Sequence, residues 1–340
     1  MPNFVIKYLY EYIIQYKIKI FKRKYKMFVK KHKVLNGEDV ISVTELEHFS
    51  LADTLECGQA FRYELIKNED GYTEYVTVVG DNLLRVAQTS DGELLFYGID
   101  DEIFESVCLP YFDLNTDYGV VKADILSRSD SAELRRAADA SDGIHILRQD
   151  AWESLFSFII SQNNNIPRIR KIIRKISVEY GKNLALTKGK CPKDDALTPC
   201  DGVCAECGIC YTFPTARAVL DNPEGLLPSK PGFRYKYLMD AAEKVESGEV
   251  SLEQIAKENN AEFTLSELKK IKGVGDKVAS CVALFGFGNL EAFPVDVWIR
   301  RAIDEYFNGS IDPNALGKYA GVAQQYIFHY IRNLEQNAEK

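Results

Sequence analysis

The chain has 340 residues, of which 46% are hydrophobic and 27% are charged, a balance typical of a globular protein with room for two domains. The net charge of -8 excludes a uniformly basic nucleic-acid binder, so any affinity for nucleic acid must come from local basic patches. No run in the sequence reaches the roughly 20 apolar residues of a transmembrane helix. We therefore expect no membrane contact and a cytoplasmic location, with the nucleoid or the nucleus as the place of action according to the host.

The first part of the chain is basic and aromatic. Ten Lys or Arg residues and one acidic residue lie in residues 1–33. We predict that residues 1–38 form a basic appendage, to which the sequence assigns no function. Two alternatives remain open for this segment: an amphipathic helix at a membrane or nucleic-acid surface, or a start codon placed too early, with Met27 as the true start.

Residues 39–122 are predicted to form an N-terminal antiparallel β-rich domain. Phe61, Tyr63 and Leu65 alternate with polar residues, and residues 72–79 are β-branched and aromatic, which favours strands. Turn sequences at 68–71 and 90–92 separate the strands into hairpins.

From residue 123 to residue 340 the apolar positions follow helical spacing, which predicts an all-α domain. One apolar stripe ends at three consecutive asparagines, residues 163–165, and Pro167 begins the next helix. Asparagine and arginine suit hydrogen bonding to exposed base edges, although a solvated surface is the plainer interpretation. The cations on the polar side of this helix form a predicted basic patch: Arg168, Arg170, Lys171, Arg174 and Lys175.

A cysteine-rich insertion occupies residues 187–212. Short Cys-x-x-Cys spacings suit a tetrahedral thiolate site for zinc, with an iron–sulfur cluster as the second choice. A redox-labile loop without function is the alternative to a metal site. The candidate zinc ligands are Cys200, Cys204, Cys207 and Cys210, with Cys191 nearby.

A polar helix runs into Gly273-Val274-Gly275, where both glycines are predicted to provide a tight turn. A second helix follows, with Asp276 as the predicted N-cap. Free backbone N–H groups at this turn form a site for an anion such as a DNA phosphate. Lys277 lies in the first turn, where the helix dipole and desolvation favour a neutral, nucleophilic amine. A solvated surface lysine is the alternative.

The hairpin with Lys277, together with Pro294-Val295-Asp296, resembles the helix-hairpin-helix DNA glycosylases of the HhH-GPD superfamily. Three further segments are similar to the 8-oxoguanine DNA glycosylases within that superfamily: residues 57–62, the asparagine run, and residues 232–234. The resemblance implies an α+β fold, with a β-rich domain followed by an all-α helix-hairpin-helix glycosylase domain. It also implies a bifunctional DNA glycosylase and abasic-site lyase, active as a monomer on double-stranded DNA containing oxidised guanine. The chemistry so implied requires no cofactor.

The same resemblance implies a role for each matching residue. Lys277 is the expected nucleophile and Asp296 its catalytic partner. The expected base pocket includes Gly58, whose carbonyl reads the N7–H of the oxidised base, with Gln59, Cys281, Gln324 and Phe328. The residues expected to contact the opposite base and the DNA are Asn163, Arg168, Phe233, Arg234, Gly273 and Gly275.

Two alternative functions remain open from the sequence. One is a related helix-hairpin-helix glycosylase and lyase that acts on another damaged base. The other is a non-catalytic helix-hairpin-helix DNA-binding protein with a zinc loop. A glycosylase with lyase activity forms a covalent Schiff base on damaged DNA, whereas the non-catalytic DNA-binding protein does not.

For the insertion we predict about one zinc ion per chain, since structural zinc sites take four ligands. Elemental analysis of protein purified without chelator or oxidation measures this ratio directly. Chelation is expected to lower thermal stability more than it lowers any lysine-based reaction. Protein that carries no metal under these conditions would contradict the prediction.

Overall fold

The computed structural model describes residues 28–184, 209–307, 309 and 311–338. Its first part is a six-stranded antiparallel sheet with strand order β1-β2-β6-β5-β4-β3. The strands are β1 Val29–Leu35, β2 Glu38–Thr44, β3 Tyr63–Glu69, β4 Tyr72–Val79, β5 Asn82–Thr89 and β6 Leu94–Tyr97. The predicted α+β class, with a β-rich domain preceding a helical one, is confirmed.

The sheet begins earlier than the sequence analysis placed it. Asn36 and Gly37, with φ of 52° and 83°, form the two-residue turn that joins β1 to β2. Positive φ at both positions matches the twist of a hairpin, and Asn-Gly is the pair that accepts it most readily. Residues 29–38 therefore belong to the sheet and not to a basic appendage; residues 1–27 lie outside the described part of the chain.

Helices make up most of the remaining described chain. A segment with a π-helical middle follows the sheet, as Asp101–Ile103, Phe104–Cys108 and Leu109–Tyr111, and short 3-10 turns occur at Pro223–Ser229, Gly232–Arg234 and Gly317–Tyr319. The α-helices labelled here are α1 Leu51–Glu56, α2 Tyr118–Ser127, α3 Ala132–Ala140, α4 Ala151–Ser161, α5 Ile166–Tyr180, α6 Ala216–Asp221, α7 Tyr235–Glu246, α8 Leu252–Glu258, α9 Ala261–Leu268, α10 Asp276–Gly286, α11 Val297–Tyr306, α12 Pro313–Leu316 and α13 Ala320–Ala338. Among the described helices, none is long and apolar enough to cross a membrane.

Two large hydrophobic cores stabilise the fold. One lies between a face of the sheet and the helical segment that follows it, where Phe96 contacts Phe104 and Phe112 edge to face. The other is formed by the helices, and α10 packs against α4 at its centre. Because nearly every residue of α10 is buried, the position of its first turn is fixed relative to α4.

The two parts are joined by the extended segment 143–149. The N–H of Ser50 donates to the carbonyl of Gly143 (2.8 Å), and the N–H of Gln149 donates to the carbonyl of Phe285 in α10 (2.9 Å). Arg170 and Arg174 of α5 make a second junction, since both pair with Glu64 on β3. A cleft described below is lined by residues of both parts.

Candidate active site

A cleft of about 750 Å³ opens where the sheet domain meets the helical domain. Its wall is formed by the turn before β3, the α4–α5 loop, the first turns of α10 and α11, and α13. The sequence-predicted residues on this wall are Gly58, Asn163, Gly275, Lys277, Asp296 and Phe328.

Of the two glycines in the hairpin before α10, Gly273 is the one that the local structure requires. Gly273 has a φ of 80°, and a Cβ at this position would lie 2.5 Å from the ring of Tyr237. Gly275 has a φ of −98° and is the N-cap of α10, so it does not use the positive φ predicted for it. Asp276 is not the cap either: it lies in the first turn and pairs with Lys269. Both of those local predictions are corrected.

Lys277 reaches the cleft from the first turn of α10. Its Nζ donates a hydrogen bond to Ser161 Oγ at 3.1 Å and lies 5.3 Å from the centre of the Phe158 ring. Cys281 follows one turn later with its thiol buried. Burial raises the pKa of Cys281, and the nearby charge of Lys277 opposes that shift.

Asp296 is fixed at the start of α11. Its Oδ1 accepts a hydrogen bond from the N–H of Ile299 at 2.8 Å, so the residue is the N-cap of that helix. The negative charge of Asp296 also contributes to the raised pKa of Cys281. Lys277 and Asp296 both line the cleft, so an amine and a carboxylate share it.

Gly58 and Phe328 meet across the cleft. Gly58 has a φ of 87°, and a Cβ there would approach the ring of Phe328 to 3.3 Å. A side chain at this position would fill the space beside the ring, so a glycine keeps both the turn and the cavity open.

Gln59 does not contact the cleft, contrary to the sequence prediction. Its side chain is fully buried, with Nε2 donating to the carbonyls of Thr54 and His145, both at 2.8 Å. Its Oε1 accepts from the N–H of Leu147 at 2.9 Å. Because protein groups already occupy these donors and this acceptor, Gln59 holds the neighbouring Gly58 turn in place and has no free group for a base in this arrangement.

Cys281 and Gln324 are 4% exposed and do not line the cleft among the described residues. Their predicted contact with a base therefore requires a shift of the surrounding side chains. Gln324 Oε1 is buried without a hydrogen-bond partner in the described part of the chain. An unpaired buried acceptor costs free energy, and a ligand donor would remove that cost.

The α4–α5 loop presents two of the predicted DNA contacts to solvent. Asn163 is exposed, with a φ of 47°, and Arg168 is exposed one turn into α5. Asn165 caps α5 by accepting from the N–H of Arg168 at 3.0 Å. The first asparagine and the arginine are thus free to contact a ligand, while the third asparagine fixes the loop.

Arg234 has a different role from the predicted one. Its guanidinium is 3% exposed and donates to the carbonyls of Gln162 (2.8 Å from Nε), Asn163 (2.8 Å) and Pro231 (3.1 Å). Burial and the neighbouring positive charge of Arg168 lower its pKa. Arg234 therefore clamps the α4–α5 loop and cannot also satisfy an orphaned base in this arrangement. Phe233 beside it is 49% exposed, as an inserting aromatic residue must be.

The predicted basic patch on α5 is smaller than the sequence indicated. Arg170 and Arg174 pair with Glu64 on the sheet, and the guanidinium of Arg170 also lies 4.2 Å from the Tyr63 ring centre. Arg168, Lys171 and Lys175 remain exposed on the helix.

The cysteine-rich insertion leaves and re-enters the fold at one place. The N–H of Leu184 donates to the carbonyl of Cys210 (2.7 Å), and the N–H of Thr212 donates to that of Lys182 (2.9 Å). Cys210 is buried against Val76 of the sheet. Cys191, Cys200, Cys204 and Cys207 lie outside the described residues, so the predicted zinc site stays a prediction.

Four residues on the cleft wall were missed by the sequence analysis: Ser161, Trp298, Arg300 and Arg332. Arg332 follows Phe328 by four positions on α13, a spacing that places both on one helix face and provides the signal that was overlooked. Ser161 directly precedes the Gln-Asn run, but nothing in the sequence shows that it meets Lys277.

Comparisons with known proteins agree with this geometry. The family described as "8-oxoguanine DNA glycosylase, N-terminal domain" matches residues 40–155. The chain is 27% identical over 299 residues to the N-glycosylase/DNA lyase of Saccharomyces cerevisiae, covering 82% of this chain and 73% of the yeast protein. It is 25% identical over 300 residues to the N-glycosylase/DNA lyase OGG1 of Arabidopsis thaliana, covering 81% and 75%.

A solved structure is similar to this chain over a larger share of its length. The 8-oxoguanine glycosylase/lyase of Clostridium acetobutylicum, crystallised with double-stranded DNA containing cytosine opposite 8-oxoG, is 33% identical to this chain with a TM-score of 0.75. The match covers 90% of this chain and 98% of that one.

Because Arg234 holds the α4–α5 loop, we expect its loss to destabilise the protein much more than the loss of Arg168. Arg234→Ala removes the donor shared by the carbonyls of Gln162, Asn163 and Pro231 and should lower the free energy of unfolding by about 3 kcal/mol. Arg168→Ala removes an exposed side chain and should change it by about 0.5 kcal/mol or less. Urea denaturation of both variants measures these values. Equal losses would show that Arg234 does not hold the loop.

Proposed function

The chain belongs to the 8-oxoguanine DNA glycosylase family, and on that premise we propose that it excises 8-oxoguanine from double-stranded DNA and nicks the resulting abasic site. The observation that carries this proposal is the placement of Lys277 and Asp296 on one cleft wall. The partner is duplex DNA, bound by a monomer of the enzyme.

The reacting nucleotide must leave the helix to reach this cleft. The sugar carbon C1′ is inaccessible inside the base stack, so the enzyme extrudes the nucleotide at a cost of a few kcal/mol. A cleft of about 750 Å³ between two domains accommodates such a nucleotide. Gly58 and Phe328 then flank the base, and the exposed ring of Phe233 enters the duplex where the nucleotide has left.

Lys277 performs both chemical steps. Its neutral amine attacks C1′, a C–N bond forms, and the glycosidic bond breaks with its electron pair leaving on the base, which takes up a proton. Opening of the sugar ring gives a Schiff base between Lys277 and the sugar. Removal of a proton from C2′ then expels the 3′ phosphate, and the strand is nicked.

Asp296 supports the first step electrostatically. Positive charge develops on the sugar as the base departs, and a fixed carboxylate in a partly desolvated cleft stabilises that charge. The helix-cap hydrogen bond from Ile299 keeps the carboxylate oriented, so little reorganisation is needed during the reaction.

The hairpin and the α4–α5 loop bind the remaining DNA. The backbone at Gly273 and Gly275, just before α10, provides N–H groups and a helix N-terminus for a phosphate. Asn163 and Arg168 are both exposed, and in this proposal they contact the strand opposite the lesion and supply donors for the orphaned cytosine. Arg234 acts indirectly, by holding the loop that carries Asn163.

The zinc site predicted in the insertion has a structural role in this proposal. The insertion is anchored at Cys210 on the sheet, and that anchor lies outside the residues lining the cleft. A metal ion there would stabilise the loop and would take no part in the reaction of Lys277.

Lys277→Gln is expected to abolish base excision and strand nicking together, while lesion-containing DNA still binds. The reason is that one amine forms the Schiff base from which both products arise. Excision assays and borohydride trapping on duplexes with a single 8-oxoguanine measure the loss. Lys272→Gln is the matched control: it removes an exposed cation from the same hairpin, and both reactions should survive.

A substantial rate of excision by Lys277→Gln would rule out this assignment. A wild-type enzyme that binds damaged DNA without forming a trapped complex would instead support the non-catalytic alternative.

Excision should be faster opposite cytosine than opposite adenine. Cytosine presents O2 and N3 as acceptors for arginine, whereas adenine leaves a buried donor unpaired at a cost of about 1–3 kcal/mol, or roughly 5- to 150-fold in rate. Arg168→Ala should shrink this preference by slowing the cytosine duplex most. Single-turnover rates on the two duplexes measure it.

Lys171→Ala is the control for this experiment, because Lys171 is an exposed cation one turn further along α5. Its loss should weaken phosphate attraction on both duplexes alike. Equal wild-type rates on the two duplexes would contradict the proposed reading of cytosine.

A further inference from the structure

Ser161, the last residue of α4, makes two hydrogen bonds that determine where its lone pairs point. Its Oγ–H donates to the carbonyl of Phe158 at 2.8 Å, one turn earlier in the helix. The same Oγ accepts a hydrogen bond from Lys277 Nζ at 3.1 Å. Because the hydroxyl proton is already used inside α4, Ser161 faces the amine as an acceptor only.

The ring of Phe158 limits the positions of the Lys277 amine from another side. The Phe158 ring lies 5.3 Å from Lys277 Nζ, and it is 3% exposed. Phe285 stacks on this ring with centres 5.4 Å apart and planes 18° apart, while Phe61 meets it edge to face at 5.6 Å. The ring is therefore immobile, and the amine is confined between a fixed hydroxyl and a fixed aromatic face.

We propose that Ser161 is a positioning residue that aims the Lys277 amine at the sugar. This inference rests on the proposed function of the cleft. A neutral amine has two N–H groups and one lone pair in tetrahedral arrangement. With one N–H committed to Ser161, the lone pair cannot point at that hydroxyl and takes one of the remaining tetrahedral directions, beside the cleft that Lys277 itself lines.

A hydroxyl suits this task better than a carboxylate at the same place. A carboxylate would favour the ammonium form, which has no lone pair with which to attack. Ser161 is uncharged, so it orients the Lys277 amine without stabilising the ammonium form through an opposite charge. Asp296 is left for the positive charge that develops on the sugar.

The expected size of the effect follows from the sensitivity of nucleophilic attack to geometry. A misplacement of about 1 Å reduces rates by roughly 100-fold. Loss of the Ser161 hydrogen bond lets the amine rotate among several directions, and a decrease of about 10- to 100-fold in the excision rate is expected. Affinity for DNA should stay unchanged, because Ser161 acts on the amine alone.

Three substitutions separate positioning from packing. Ser161→Ala removes the acceptor, Ser161→Cys keeps the approximate size with a weak acceptor, and Ser161→Thr keeps the hydroxyl. The measurements are single-turnover excision at saturating DNA, DNA affinity, and the rate of borohydride trapping on a duplex with a preformed abasic site. The last reaction uses the same amine without base removal.

Positioning by Ser161 predicts that the Ala and Cys variants are slow in both excision and trapping, while the Thr variant is restored in both. A purely structural role predicts that the bulkier Thr variant is the most impaired and that Ala loses thermal stability without losing rate at saturating DNA. Wild-type rates for Ala, or a Thr variant as slow as Ala, would overturn the proposal.

The wild-type enzyme and Lys277→Gln are run in parallel. Excision and trapping by the wild type, both lost in Lys277→Gln, support the proposed function, and the Ser161 variants are then judged against the wild-type rates. If the wild type gives no trapped complex, the proposed function fails and the role of Ser161 fails with it.

Discussion

The buried amide of Gln59 is the constraint on which the cleft depends. Its donors and its acceptor are used by Thr54, His145 and Leu147, which lie before and after it in the chain. An unsatisfied amide in this position would cost about 1–3 kcal/mol, so the turn and the segment 143–149 form together. The adjacent Gly58 is thereby set against Phe328, and the sheet domain is fixed to the helical domain at the point where the cleft opens.

The residues that we propose to act on DNA are each accompanied by a residue that positions them. Gln59 positions Gly58, Arg234 holds the loop of Asn163, and Ile299 orients Asp296 through a helix-cap bond. The side chains of Gln59 and Arg234 are saturated by main-chain atoms, and Ile299 acts through its own backbone N–H. This division explains why a net acidic chain can recognise DNA: only a few unsatisfied donors are needed, and the backbone places them.

The sequence was most informative where local residue types and spacing define structure. The β-branched and aromatic residues at 72–79 predicted β4, and the glycine turn followed by Lys277 predicted a hairpin that leads into a helix. The start of the sheet was missed although Asn36-Gly37 is a strong hairpin signal, because the lysines around it were interpreted as a basic appendage. Gln59 and Arg234 were predicted to contact a base or DNA, whereas the structure shows both bonded to main-chain carbonyls. A sequence does not show whether distant carbonyls already satisfy a polar side chain.

The closed base of the cysteine-rich insertion also makes this protein modular. Gly181 passes so close to Thr212 that a Cβ would lie 2.1 Å from its carbonyl oxygen, and the two chain segments are hydrogen-bonded there. The two ends of the insertion are therefore held together by described residues on both sides. Each doubling in the length of such a loop costs only about 0.6 kcal/mol in closure entropy. A change in the number of residues between these ends is thus expected to cost the scaffold little in chain entropy.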